Sequence, residues 1–200
     1  MLRLGDEEWP ICAVADIKLL GQHNVANVLA ACAIAGAAGA DPQSMAQVAT
    51  TFTGVEHRLE LVRTLRGVRY YNDSIATSPE RTVAALQSFE EPIVLLAGGR
   101  DKHLPWDEMA QLTLRKVRHL VLFGEAVPVI EKAIYKARSA VPGSRLVIHQ
   151  CHTLEEAVEV AAQQAQPGDV VLLAPGGTSF DAFRDFAERG ERFRELVKAL

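Results

Sequence analysis

The side chains with the most chemical capacity stand in short polar clusters, each placed directly after an apolar run. Asn72, Asp73 and Ser74 follow such a run over residues 68–71, and Thr77, Ser78 and Glu80 come next. Gly98-Gly99-Arg100-Asp101-Lys102 follows residues 93–97, Gly124-Glu125 follows 120–123, and Gly176-Gly177-Thr178-Ser179 follows 170–174. A carboxylate at the end of a buried strand can accept hydrogen bonds from ligand hydroxyls, while ammonium, guanidinium and hydroxyl groups suit carboxylates and phosphates. Paired glycines let a backbone come close to a ligand.

Each cluster also has a plainer reading. Thr77 and Glu80 have capping-box spacing, and Ser78 before Pro79 is a natural helix cap. That explains Thr77, Ser78 and Glu80 but leaves Asp73 unexplained. Arg100, Asp101 and Lys102 can be solvated turn residues. Thr178 or Ser179 can cap the last helix, whose free N–H groups can alternatively hold an anion. His57-Arg58 precedes a strand, where the guanidinium is either a surface charge or an anion partner. Phe180, Phe183 and Phe186 fit the apolar face of the last helix. His149, Cys151 and His152 have no second cluster and read as a solvated loop rather than a metal site. Neither the P-loop pattern G-x-x-x-x-G-K-[ST] nor the nucleophile elbow G-x-S-x-G occurs.

The elements that must position these groups alternate. Short or continuous apolar stretches predict strands over residues 11–15, 59–65, 68–71, 93–97, 120–123, 146–148 and 170–174, the second and third joined as a hairpin at Arg66-Gly67. Helices are predicted over 21–39, 42–51, 78–89, 106–116, 125–138, 154–166 and 180–199. Continuous apolar strands separated by helices imply a mostly parallel sheet covered on both faces. The fold class expected is therefore α/β, a doubly wound, Rossmann-like sheet over residues 53–200. Residues 1–52 do not fit the repeat and read as the tail of a preceding domain. Ligands of such sheets sit at the carboxyl ends of the strands, where every polar cluster named above falls.

Composition excludes other classes. Nearly half of the 200 residues are apolar, enough for a sizeable core. The net charge of −4 is spread in mixed sign, so nucleic acid is not the expected partner. No apolar run approaches the ~18 residues of a membrane span, and the acidic start is unlike a signal peptide. Cys12, Cys32 and Cys151 lack paired spacing, which fits a reduced, cytoplasmic setting. The oligomeric state is not readable from the sequence.

Several stretches, taken in order, resemble the Mur ligases. "LLGQHNVANVLAACAIAGAAGADP" is similar to that family's L-x-G-x-H-N-x-x-N-x-x-A-A segment, and "TTFTGVEHRLELV" to its link from central to C-terminal domain. "YNDSIATSPERTVAAL", "LLAGGRDK" and "VVLLAPGGTSFDAFRDFAERGERFRELV" resemble its strand-to-helix loop and two later blocks, in wording nearest the D-glutamate-adding branch. The resemblance implies a Mur ligase C-terminal domain over 53–200, preceded by a remnant of the central ATPase domain. It implies an ATP-dependent acid–amino-acid ligase of peptidoglycan precursor synthesis, using Mg2+, ATP, D-glutamate and UDP-MurNAc-L-alanine, with an acyl phosphate intermediate. By motif match, Asn27, Arg58 and Asp73 would bind ATP, at adenine, phosphate and ribose respectively, with His23 and Asn24 nearby. Thr77, Lys102 and Ser179 would hold the D-glutamate carboxylates, with Phe180 and Phe186 in the pocket wall. Ile75 stands where many members have lysine, so that contact is lost or passes to Lys102 or Arg100. Lacking a P-loop, these 200 residues alone are expected to be inactive. The alternatives are another Mur-type or folylpolyglutamate-type ligase, or a non-catalytic nucleotide-binding module.

Overall fold

The computed structural model describes residues 2–4 and 7–200. It contains two compact units, Met1–Gly54 and Val55–Leu200. In the first, β1 (Leu2–Leu4) and β2 (Glu7–Trp9) form an antiparallel hairpin that the sequence did not announce. The strand expected over 11–15 is absent. Val14–Asp16 instead makes one 3-10 turn, with Ile17 N donating to Val14 O at 3.2 Å, so this short apolar run satisfies its backbone locally. Helix α1 (Gln22–Ala37) follows Gly21, and α2 (Pro42–Thr51) is capped by Asp41, which accepts from Ser44 N at 2.9 Å. An apolar groove of about 470 Å³ is lined by Val28, Ala31, Cys32, Met45, Val48 and Phe52 of this unit. Ile34 is 72% exposed.

The second unit carries the β/α repeat. It runs β3 (Glu60–Leu65), β4 (Val68–Asn72), α3 (Pro79–Leu86), β5 (Ile93–Gly98), α4 (Asp107–Lys116), β6 (Val117–Phe123), α5 (Val127–Ala137), β7 (Val147–Gln150), α6 (Leu154–Gln164), β8 (Val170–Gly176) and α7 (Phe186–Ala199). The six strands lie in the order β3-β4-β8-β5-β6-β7. Only the β3–β4 hairpin is antiparallel; every other pairing is parallel. β5 and β8 are buried at every residue, which is why they read as unbroken apolar runs. Each large aliphatic side chain buried there contributes roughly 1.5–3 kcal/mol.

Alternate residues of each strand serve opposite layers. Val94, Leu96, Val121, Phe123, Val171 and Leu173 pack with Leu154, Val158, Phe193 and Val197 of α6 and α7. The intervening residues face α3, α4 and α5, where Thr82 Oγ1 of α3 donates to Ala174 O at 3.1 Å. The chain thus builds β4 to β7 outward with helices on one face, then crosses by α6 on the other face and returns β8 between β4 and β5. This reversal brings the loops at the carboxyl ends of β4, β8 and β5 side by side, and in doubly wound sheets the crevice that takes a ligand lies beyond such strand ends.

The last helix starts six residues later than expected. Asp185, not Thr178 or Ser179, is its cap: Asp185 Oδ1 accepts from Glu188 N at 2.8 Å, and Glu188 accepts in return from Arg184 N at 2.6 Å. The Asp185/Glu188 pair outcompetes the hydroxyls upstream and leaves residues 179–185 as an irregular loop. Phe180 is therefore outside the helix and 60% exposed rather than on its apolar face.

Candidate functional site

Three loops meet at the crevice, and backbone bonds fix their relation. Asp73 N donates to Leu173 O and Gly176 N to Ala76 O, both at 2.8 Å, joining the β4 and β8 ends. Arg100 N donates to Thr178 O and Thr178 N to Arg100 O, again at 2.8 Å, joining β5 to β8. The paired glycines serve this junction. A Cβ on Gly99 would lie 2.1 Å from Thr178 O, and one on Gly177 would lie 2.5 Å from Gly98 O. Their lack of side chains admits one loop backbone to another, a need separate from the approach to a ligand that the sequence suggested.

Beneath the loops lies a polar network. Asn72 is fully buried; its Nδ2 contacts His57 Nδ1 at 2.9 Å and donates to Gly190 O at 3.1 Å and Glu60 Oε2 at 3.2 Å. Asn72 Oδ1 accepts from Ser74 N at 3.1 Å. His57 adopts a left-handed backbone (φ 61°), and its ring occupies the space that a Cβ on Gly190 would need. Arg189 is fully buried as well. Its Nε donates to Ser74 Oγ at 3.0 Å, Nη2 to Ser74 O at 2.8 Å, and Nη1 and Nη2 to Gly177 O at 3.3 Å. Among the described residues no carboxylate pairs with it, and burial pushes its pKa down to about 10. A guanidinium held only by carbonyls and a hydroxyl clamps the β4 and β8 loops and leaves positive charge under the crevice.

Asp73 is 5% exposed. Its Oδ1 accepts from Leu59 N at 3.0 Å, while Oδ2 takes no hydrogen bond from the described residues. Desolvation raises its pKa to about 6 against the opposing pull of the Leu59 N–H and of the Arg58 and Arg81 charges. The capping explanation for the residues after it is only partly met: Ser78 stands at the N-cap of α3 but its side chain makes no cap bond.

The other expected residues divide by unit. His23, Asn24 and Asn27 lie on α1 of the first unit, where Asn27 Nδ2 donates to Asn24 Oδ1 at 3.1 Å and Asn24 is buried. Arg58, Asp73, Thr77, Lys102, Ser179, Phe180 and Phe186 belong to the second. Thr77 follows β4, Lys102 follows β5 and Ser179 follows β8. Among the described residues the Thr77 hydroxyl, the Lys102 ammonium and the Ser179 hydroxyl have no hydrogen-bond or ion-pair partner, although Ser179 is 2% exposed. Phe186 opens α7 and packs edge-on to His57, with ring centroids 6.3 Å apart.

Arg100 is committed elsewhere. Its Nε and Nη2 donate to the Glu125 carboxylate at 2.8 and 3.1 Å, a bidentate pair linking the β5 and β6 loops. Asp101 is fixed by Trp106 Nε1 and His103 N, each donating to Oδ1 at 3.0 Å. His149 pairs with His119 across neighbouring strands at 3.1 Å, away from Cys151 and His152. Among the described residues no group of three or more His, Cys, Asp or Glu is placed to hold a metal ion. Asn72 and Ser74 stood out in the sequence only as members of the polar cluster around Asp73, with no role of their own, and Arg81 and Arg189 drew no reading; a glycine inside an amphipathic helix, Gly190, was the one visible signal beside Arg189.

A family model described as the Mur ligase, glutamate ligase domain, matches residues 57–177. The chain belongs to the Mur ligase family. The Mur ligase match covers His57, Asn72 and Ser74 of the polar network and the three loops up to Gly177, and ends before Arg189 and Gly190. The UDP-N-acetylmuramoylalanine–D-glutamate ligase of Acetivibrio thermocellus is 48% identical over 201 residues, covering 100% of this chain and 43% of that enzyme. The enzyme of the same name from Symbiobacterium thermophilum is 49% identical over 198 residues, 99% of this chain and 42% of its own length. The chain thus spans less than half the length of these curated relatives. Solved structures share the fold at low identity. The UDP-N-acetylmuramate–alanine ligase of Thermotoga maritima superposes with a TM-score of 0.66 at 19% identity, over 92% of this chain and 39% of that one. A folylpolyglutamate synthase of Mycobacterium tuberculosis gives 0.60 at 18%, over 90% and 41%.

Proposed function

We propose that this Mur ligase chain is the carboxyl-terminal part of a cytoplasmic UDP-N-acetylmuramoylalanine–D-glutamate ligase, which binds D-glutamate and completes the ATP site. In this reading residues 1–52 are the end of the central ATPase domain and residues 53–200 the C-terminal domain. The apolar groove of the first unit supports the former, since an apolar surface of that kind commonly has a packing partner.

The observation that carries the reading is the set of uncommitted groups on adjoining loops: the Thr77 hydroxyl, the Lys102 ammonium and the Ser179 hydroxyl have no hydrogen-bond or ion-pair partner among the described residues. Two hydroxyls and an ammonium match an amino acid with two carboxylates, and the Arg189 charge below adds to the attraction. At the β4 end, Asp73 Oδ2, which takes no hydrogen bond from the described residues, would accept from ribose hydroxyls, and Arg58, whose charge acts on Asp73, would meet phosphate. Asn27 would meet the adenine, with His23 and Asn24 close by. Phe180 and Phe186 would wall the amino acid. Among the described residues no group of His, Cys, Asp or Glu is placed to hold Mg2+; in the whole enzyme that ion would accompany ATP.

The chemistry is amide formation. ATP phosphorylates the terminal carboxylate of UDP-MurNAc-L-alanine, and the D-glutamate amine attacks the acyl carbon and expels phosphate. The acyl phosphate is open to water, so the domain's work is to deliver an oriented amine and exclude solvent. The test is phosphate release by the intact ligase that carries this chain, with and without D-glutamate. Lys102→Ala is expected to raise KM for D-glutamate and lower turnover; unchanged kinetics would refute its role.

A further inference from the structure

One cation near the crevice is assigned by nothing above. Arg81 sits in the first turn of α3 and is exposed, yet its Nη1 donates to Ile75 O at 3.1 Å. That bond folds the guanidinium back over the loop after β4 instead of leaving it free in solvent. Ile75 N in turn donates to His57 O at 3.2 Å. A single loop residue therefore links Arg81 to the segment that carries Arg58. Both guanidiniums act electrostatically on one buried acid, Asp73, favouring its charged form. Among the described residues neither has a carboxylate within ion-pair distance, in contrast to Arg69 with Glu91, Arg100 with Glu125 and Arg192 with Glu155. Two cations against one carboxylate leave this end of the crevice with one positive charge in excess, which an anion would balance. Arg81 spends one N–H on Ile75, and a guanidinium has four others to offer.

We propose that Arg81 is a second phosphate-binding guanidinium beside Arg58, positioned by the Ile75 carbonyl to hold the polyphosphate of a nucleotide whose ribose lies on Asp73. The inference rests on the nucleotide reading of Asp73 given above. It adds that phosphate recognition at this loop is bidentate across two chain segments, so that removing either arginine weakens phosphate binding without touching the amino-acid end.

The experiment is calorimetric or NMR titration of the full 200-residue chain with ADP, inorganic tripolyphosphate, adenosine and D-glutamate. Wild type is compared with Arg81→Met, Arg81→Lys, Arg58→Met and, as a remote control, Arg66→Met in the β3–β4 turn. Loss of one charge-assisted phosphate contact corresponds to about tenfold or more in affinity. Arg81→Met is expected to weaken ADP and tripolyphosphate about tenfold, to leave adenosine and D-glutamate unchanged, and to be partly restored in Arg81→Lys. An Arg81 that only buttresses the loop would weaken adenosine and ADP alike, which overturns the proposal, as does ADP binding indifferent to the substitution. Wild-type chain that takes up none of the phosphate probes at millimolar concentration overturns it too. Asp73→Asn separates the two claims: if it leaves ADP binding intact the nucleotide reading itself fails, whereas loss there with no effect at Arg81 refutes only the present inference.

Discussion

Asp73→Asn should make this protein more stable at neutral pH. The carboxyl is buried, and its pKa rises from 3.8 to about 6 on folding because desolvation outweighs the Leu59 N–H and the nearby arginines. An acid whose folded pKa lies above its unfolded value binds more protons when folded. Its contribution is therefore favourable or neutral below the unfolded pKa and turns unfavourable as pH climbs through the window from about 4 to about 6. A shift of this size corresponds to about 3 kcal/mol of destabilisation above pH 6. Asparagine keeps an acceptor at Oδ1 for Leu59 N and removes the buried charge. Urea unfolding of wild type and Asp73→Asn between pH 4.5 and 8 measures it directly. The variant's advantage should be about 1 kcal/mol at pH 4.5, grow to about 3 kcal/mol by pH 6.5 and stay level beyond. A flat difference, or a variant less stable than wild type at pH 7, would refute the reasoning. If Asp73 holds the nucleotide ribose as proposed, the gain in stability should coincide with lost nucleotide binding.

Other substitutions probe the scaffold. Arg189→Met strands Ser74 O and Gly177 O in the interior; at about 1–3 kcal/mol for each unsatisfied group, offset by relief of the buried charge, a net loss of about 1–4 kcal/mol is expected in chemical denaturation. Gly177→Ala places a methyl group 2.5 Å from Gly98 O and should lower the melting temperature by several degrees, roughly 2–4 °C per kcal/mol, while the same change at the open Gly143 turn, where a Cβ meets nothing within 4 Å, strains only its own backbone at φ 83° and should cost less. The purified 200-residue chain should release no phosphate from ATP in a coupled assay, because no P-loop pattern occurs in it.

The fold was legible where one signal dominated. Unbroken apolar runs such as 93–97 and 170–174 have no solution but central parallel strands, and the crevice follows from their order. Residues 11–15 misled because an apolar run without a neighbouring strand closes on itself as a turn. The start of α7 was missed because several cap candidates lie within eight residues, and the Asp185/Glu188 pairing wins only once the loop's tertiary bonds are known. Within the site, Asp73 was visible because capping could not explain it. Arg189 was not, since apart from the neighbouring Gly190 little in the sequence distinguishes an arginine at a helix surface from one whose charge is buried beneath loops. The glycine pairs were flagged correctly as special, yet their partner is the neighbouring loop, a contact that only the β8 insertion between β4 and β5 creates.

The central claim is that Thr77, Lys102 and Ser179 form one receptor for a dicarboxylate amino acid. Amide chemical-shift mapping of the chain on addition of D-glutamate tests it most directly. The account predicts saturable shifts clustered at residues 76–78, 100–103 and 177–186, abolished by Lys102→Met and weaker for L-glutamate. Shifts scattered over the surface, or concentrated at the β7 edge around His149, would contradict it.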